Sequence, residues 1–341
     1  MQWTVAIGVD THRDTHVAVA CDRQGRRLDS LQVAATPKGY LKLLGWAQSL
    51  GEPAFAIEGS GSYGRGLARV LEAAGISVFE CERPRRRDRR RGKSDLIDAT
   101  LAVKRLLAGD GLSRLRGGGE REDLRLLLIE RRSAERARTA ALNQLRSLLV
   151  TAPPGLRARL ERLSASALPR RCASLRAEAG SERVLRSVLQ RLGGRVLRLG
   201  DELAEVEEQL HTLVQELAPE LLAECGVGSF CAAQLLVASG DPARMRNDAS
   251  FAALAGTSPV DASSGRQQRH RLNRGGDRQL NRALHVIALS RIRNHRATAS
   301  YYGRLLATGK TPREARRCIK RALARYFYRQ LARIDAVALT P

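Results

Sequence analysis

The sequence predicts an α/β domain followed by two mainly α-helical regions. Three observations point there. Short apolar runs alternate with helical patterns over the first 110 residues. Beyond residue 120 the composition turns to Leu, Arg, Glu and Ala at helical spacing. The last third is helical and heavily basic. The expected division is 1–110, 111–222 and 223–341.

In the first region TVAIGVDTHRDTHVAVAC reads as two strands joined by a tight polar turn, with period-2 alternation in HVAVAC. GRRLDSLQVAA supplies a third strand. TPKGYLKLLGWAQSL carries a Thr cap, Pro at the first helical position and apolar residues at helical spacing. PAFAIEGSG is a buried strand ending in Glu58, YGRGLARVLEAAG a helix closed by Gly75, and ISVFEC the next strand. The order βββαβαβ, with a further helix after Ser94, makes one α/β layer domain.

EDLRLLLIERRSAERARTAALNQLRSLLV has no Gly or Pro to break a long helix. SERVLRSVLQRLGGRVLRLGDELAEVEEQLHTLVQEL shows Leu and Val at heptad-like intervals, interrupted at Gly193-Gly194. Joined through a Pro-containing segment at 150–181, the two helices suggest an antiparallel coiled-coil arm; a plain helical bundle is the alternative. The third region opens with a Gly226-Val227-Gly228 turn between apolar helices, an arrangement in which backbone N–H groups at a helix start can hold a phosphate.

Charge narrows the function. A formal net charge of +24 destabilises a compact chain by self-repulsion unless a polyanion neutralises it. Nucleic acid is the expected partner, because basic clusters gain affinity by releasing condensed counterions. No run of 18 apolar residues, basic amphipathic anchor or signal peptide is recognisable, so no membrane partner and a cytoplasmic, DNA-associated location are expected. The six cysteines are scattered without metal-ligand spacing, which argues against zinc and against a disulfide framework. Aromatic residues, at 4%, are too few for a base-stacking platform to be the main binding device.

Four carboxylates stand at informative places. Asp10 ends the first apolar strand, Glu58 ends another, and Asp95 and Asp98 share one face of the helix opening at Ser94. Each has a plain explanation as a turn cap, a strand-end residue or a first-turn helix acid. Together, on this element order, they are what an RNase H-like fold uses to hold two Mg²⁺ ions about 3.5–4 Å apart. Hard oxygen ligands select Mg²⁺, or Mn²⁺, over zinc.

The segments IGVDTH, AIEGSGSYG and GKSDLIDA resemble the DEDD transposases of bacterial insertion sequences (the IS one-ten family, relatives of the Piv invertase), whose N-terminal domain is similar to the RuvC Holliday-junction resolvase. The resemblance continues in GVGSFCAAQLLVASGD, in FAALAGTSPVDASSGRQQRHRLNRGGDRQLNRALHVIAL and in GKTPREARRCIKRALAR, while the helical middle matches only in character. It implies that Asp10, Glu58, Asp95 and Asp98 are the DEDD tetrad. It also implies an essential serine before a glycine, mapping to Ser264, with Ser263 as the adjacent fallback. As bare sequence, ASSG reads as a loop. The implied serine role is a nucleophile on DNA phosphate giving a transient phosphoserine linkage, and such a hydroxyl needs activation.

The resemblance further implies guidance by a structured RNA, called a bridge RNA, whose loops pair with donor and target DNA. Such a guide fits the charge, since RNA and DNA both need neutralising. The expected phosphate contacts are Arg85, Arg86, Arg87, Arg89, Arg90, Arg91 and Lys93 in the RPRRRDRRRGK run, Gly226 and Gly228 in the turn, and Arg266, Arg269, Arg271, Arg274, Arg278 and Arg282. The arm is expected to hold acids and serine apart within one subunit, which favours a homo-oligomer, dimer or tetramer.

Two other functions compete: a metal-dependent structure-specific nuclease using only the acids, and a non-catalytic nucleic-acid-binding protein. If the 83–91 run contacts phosphates, neutralising three of its arginines should flatten the slope of log affinity against log salt by up to about 3 units. An unchanged slope with RNA and DNA alike would make the run a solvated loop.

Overall fold

Val5–Thr11 (β1) is buried along its whole length and forms the centre of a six-stranded sheet. Thr15–Cys21 (β2) folds back antiparallel to it, and Arg27–Ala34 (β3) continues antiparallel at the edge. On the other side lie Pro53–Glu58 (β4) and Ser77–Cys81 (β5), both parallel in sequence, then a short antiparallel strand Leu112–Arg114 (β6). The spatial order is β3-β2-β1-β4-β5-β6. The parallel steps are bridged by helices, Pro37–Ser49 (α1) before β4 and Arg65–Ala73 (α2) before β5. The computed structural model describes residues 3–81, 94–109, 112–115, 119–176, 182–240, 245, 247–261, 270–271, 273 and 275–338. Two compact units emerge, 1–117 and 118–341.

The caps read from the sequence are present. Thr36 accepts a hydrogen bond from Gly39 N at the start of α1, and Ser94 Oγ accepts from Ile97 N at the start of Asp95–Ala108 (α3). The sheet's two faces differ in bulk. Val5, Ile7, Val9, Phe55 and Ile57 pack with Leu43, Leu67 and Leu71 of α1 and α2. The opposite face offers Ala6, Ala54 and Ala56 to Ala99, Ala102 and Val103 of α3. Gly8 marks the closest approach, since a Cβ there would lie 2.1 Å from Ala99 O and 2.6 Å from Val103 N. Small residues on this face thus let α3 ride low on β1. The mixed sheet, with one helix below and two above, is consistent with the RNase H-like domain expected. Strand β6 was not anticipated: three residues are too few to show a period.

The second unit is helical. Glu120–Val150 (α4) and Arg183–Leu217 (α7) run antiparallel, with Arg131 Nε 2.6 Å from Glu207 Oε1 and Gln144 and Leu148 facing a groove shared with Val188 and Arg195. Pro154–Leu160 (α5) and Ala167–Ala173 (α6) fill the connection. The expected interruption at Gly193-Gly194 does not occur, because α7 is continuous through it. Gly193 is a packing notch: a Cβ there would meet Pro169 O at 2.6 Å and Ala173 N at 2.7 Å.

One core joins Leu145, Leu149, Leu156, Leu168 and Leu189 between the far parts of α4 and α7 and the α5–α6 connection. A second joins Leu124, Leu128, Leu210 and Val214 to the C-terminal helices. Those are Pro219–Ala223 (α8), Ser229–Ser239 (α9), Asp248–Leu254 (α10), Arg278–Asn294 (α11), Arg296–Ala307 (α12) and Pro312–Ala338 (α13). Val260–Asp261 (β7) and His270–Arg271 (β8) form a small antiparallel pair between α10 and α11. No described helix is long and apolar enough to cross a membrane.

Replacing Gly8 with Ala should cost about 3 kcal/mol or more, because backbone rather than a flexible side chain occupies the space. Both tryptophans, Trp3 and Trp46, lie in the first unit, so fluorescence-monitored denaturation reports this loss directly. A near-unchanged midpoint would show that α3 does not depend on this contact.

Candidate active site

Asp10 is the sixth residue of β1 and sits where the strand leaves the core, on the face covered by α3. Its parallel neighbour β4 is registered with Val9 beside Ile57, which sets Glu58 next to Asp10 at the strand ends and on the same face. Thr11 Oγ1 donates to Glu58 O at 2.6 Å, tying the two ends together. Because Gly8 draws α3 against β1, the first turn of α3 arrives beside Asp10. That turn carries Asp95, exposed, and Asp98, 5% exposed. The helix N-terminus, with its free N–H groups, is a favourable place for both acids.

The structure therefore brings Asp10, Asp95 and Asp98 together, with Glu58 on the adjoining strand. It adds a residue that sequence reasoning missed. His12 Nε2 lies 3.4 Å from Asp10 Oδ2 and 3.2 Å from Asp95 Oδ1, and the three side chains converge as a metal ion's ligands would. A signal was available: Asp10 and His12 are two residues apart at a strand end and share a side of the chain. Burial pushes the Asp10 carboxyl above its ordinary value; His12 opposes this, while Asp98 and Asp95 reinforce it. The site's oxygen-rich donor set with one imidazole fits a hard divalent cation.

The other expected site residues fare differently. Ser263, Ser264, Arg85, Arg86, Arg87, Arg89, Arg90, Arg91, Lys93, Arg266, Arg269 and Arg274 lie outside the described residues. Arg271 is placed in β8 by its backbone. Gly226, at φ +79°, is pressed against α11, where a Cβ would meet Ser290 Cβ at 2.9 Å; Gly228 is the cap residue of α9. Arg278 is exposed at the start of α11. Arg282, though exposed, is already engaged within the chain, with Nη2 2.6 Å from Glu135 Oε1 and the guanidinium 5.7 Å from the Phe230 ring.

Comparison with known proteins adds to this geometry. Residues 7–154, which include all four acids and His12, match the family of IS110 DEDD transposases, described as "Transposase". Residues 219–303 match the profile described as "Transposase IS116/IS110/IS902 family". The chain belongs to the IS110 transposase family. It is also similar to the insertion element IS110 uncharacterized 43.6 kDa protein of Streptomyces coelicolor, at 34% identity over 131 residues. That match covers 38% of this chain and 32% of the relative, so the chain spans about a third of the length of the curated relative it matches. The two family matches cover the acid-bearing sheet and the segment around the β7–β8 pair, the same two regions whose motifs carried the resemblance.

In metal-free protein, Asp10→Asn should raise the denaturation midpoint of the first unit at neutral pH. The folded-state pKa of Asp10 is raised, so its contribution is favourable below the unfolded carboxyl value and is lost as pH rises through the folded value. The stabilisation by Asn should accordingly shrink as pH falls toward about 4. Tryptophan fluorescence in chelator reads it, and a less stable variant at neutral pH would contradict the assigned crowding.

Proposed function

We propose that this chain is the DNA transposase of an insertion sequence, cleaving and rejoining DNA with divalent metal ions and a serine nucleophile. The observation that carries the reading is the convergence of Asp10, His12, Asp95 and Asp98 at the first turn of α3, with Glu58 beside them, in a member of the IS110 family. Mg²⁺ or Mn²⁺ bound there would polarise the attacking and leaving oxygens of a phosphodiester. Asp10 and Glu58 offer oxygens from adjacent strands, and Asp95 and Asp98 offer theirs from a helix start whose dipole favours anions. His12 adds an imidazole nitrogen, a donor better suited to Mn²⁺ than to Mg²⁺.

The finer parts of the proposal rest on the family resemblance. The sheet domain is RuvC-like, and α4 with α7 forms the coiled-coil arm between the acid domain of 1–110 and the C-terminal transposase domain of 223–341. Ser264 Oγ attacks the DNA phosphorus, the bond to the leaving oxygen breaks, and that oxygen takes a proton as the phosphoserine linkage forms. Attack by the incoming strand's hydroxyl reverses the exchange. Ser263 is the fallback nucleophile. A bridge RNA supplies sequence recognition, basic segments hold both nucleic acids, and several copies of the chain assemble on DNA in the bacterial cytoplasm. The net charge of +24 supports polyanionic partners of this kind.

The test uses the full chain, DNA flanking its own gene and RNA transcribed from that flank. Wild type should cleave in Mg²⁺ or Mn²⁺ and leave a denaturant-resistant protein–DNA adduct. Asp98→Asn should lose cleavage by about a hundredfold or more, as removal of a preorganised electrostatic group does. Ser264→Ala should form no adduct. Metal-dependent cleavage without an adduct in wild type would favour the acid-only nuclease, and no cleavage under any condition would favour a binding protein.

A further inference from the structure

Cations in the second unit that are drawn out of water generally have a carboxylate. Arg125 pairs with Glu122 at 2.8 Å, Arg131 with Glu207 at 2.6 Å, Arg186 with Glu182 at 2.9 Å and Arg291 with Glu224 at 2.5 Å. Lys320 breaks this rule. It is half-buried on α13, and its Nζ donates to Asn281 Oδ1 of α11 at 2.5 Å. Around it are further basic groups: the His285 imidazole one turn along α11 from Asn281, and the Arg316 and Arg317 guanidiniums one turn back on α13. Arg316 Nε donates to the Pro312 carbonyl at 3.0 Å. Among the described residues no carboxylate pairs with Lys320, His285 or Arg316. Burial first, then Arg317, pushes the Lys320 ammonium below its ordinary pKa; burial, then Lys320 and Arg316, does the same to His285.

This cluster adjoins a rigid junction. Asn281, which receives Lys320, donates its own Nδ2 to Ala255 O at 2.6 Å. Ala255 leads into Gly256, at φ +62°, whose Cβ would meet Gly275 O at 2.8 Å. Gly276, at φ +107°, lies so close that a Cβ would stand 2.5 Å from Leu254 O, and Asp277 N donates to that same carbonyl at 2.6 Å. The chain leaves this clasp at Gly256 for β7 and returns from β8 at Gly275–Gly276. Lys320 and Arg316 lie beyond the matched residues 219–303.

We infer that Lys320, with His285 and Arg316, is a binding site for one backbone phosphate of a nucleic-acid strand, set at the clasp from which the β7–β8 pair springs. A partly desolvated ammonium with no carboxylate among the described residues is costly in the free protein, and a phosphodiester supplies an anion. Asn281 holds the ammonium in place ahead of binding, which reduces the ordering cost when the strand arrives. A phosphate fixed here registers the strand against the β7–β8 segment, in whose sequence interval Ser264 falls. The inference rests on the transposase reading for its biological sense, but its chemistry requires only nucleic acid.

The experiment compares wild type, Lys320→Met and Lys320→Arg as full-length proteins. Binding to a short random-sequence duplex is titrated across salt. Lys320→Met should lower the slope of log affinity against log salt by about 1 and weaken binding roughly tenfold at 0.1 M salt, while Lys320→Arg keeps the wild-type slope. Without nucleic acid, Lys320→Met should melt at or above the wild-type temperature, since it removes an uncompensated cation. An unchanged slope, or a destabilised Lys320→Met protein with normal binding, would make Lys320 a structural residue and overturn the site. Inorganic phosphate provides the second arm: wild-type stabilisation by phosphate over chloride, lost in Lys320→Met while the duplex slope stays unchanged, would assign a free anion and overturn the strand. A reduced slope together with wild-type protein that never cleaves DNA would leave this site standing and remove the transposase reading. Normal cleavage with an unchanged slope would do the reverse.

Discussion

The first unit depends on how near α3 can come to β1. Two hydrogen atoms on Gly8, in place of a side chain, let the Ala99 carbonyl and Val103 amide of α3 reach the strand. Alanines at 6, 54, 56, 99 and 102 widen that permission along the face. The helix start is thereby lowered to the level of the strand ends, and Asp95 and Asp98 come to Asp10. A bulkier face would lift α3 by the thickness of a side chain and separate the acids from the sheet. The site is thus a consequence of close packing several residues away from it.

That packing works against electrostatics. Asp10 is buried among other carboxylates, and its raised pKa records the cost. His12 relieves part of it, standing between Asp10 and Asp95. Strain of this sort is tolerated where function needs a cation to be drawn in. The C-terminal helices present the opposite imbalance. Buried Arg291 pairs with Glu224, and the exposed Arg282 and Arg325 pair with Glu135 and Asp248, ties that join α11 to α4 and to the end of α8, and α13 to α10. Lys320 and its neighbours are left with charge in surplus.

The pairing of Arg282 shows why composition alone misleads about which cations meet nucleic acid. In the sequence it is one of nineteen lysines and arginines between Arg266 and Arg333, counted against the two acids Asp277 and Glu314. In the structure it belongs to Glu135, from a helix 147 residues earlier. His12 teaches the complementary lesson. Within IGVDTH it is a lone histidine at a turn, which has no meaning until the carboxylate of a distant helix closes on it.

By itself, the sequence determined the element order of the first unit as far as α3, the helix caps at Thr36 and Ser94, the long helices and the chain positions of the four acids. These follow from period, cap chemistry and charge, all of which act within a few residues along the chain. Tertiary structure decided the rest: that Asp95 and Asp98 meet Asp10, that His12 joins them, that Gly193 is a notch and not a break, and which basic side chains are already paired. Each of those depends on what lies across the interface, on a backbone carbonyl 2.1 Å from a missing Cβ or a carboxylate many residues away. Local pattern cannot register a partner that only folding supplies.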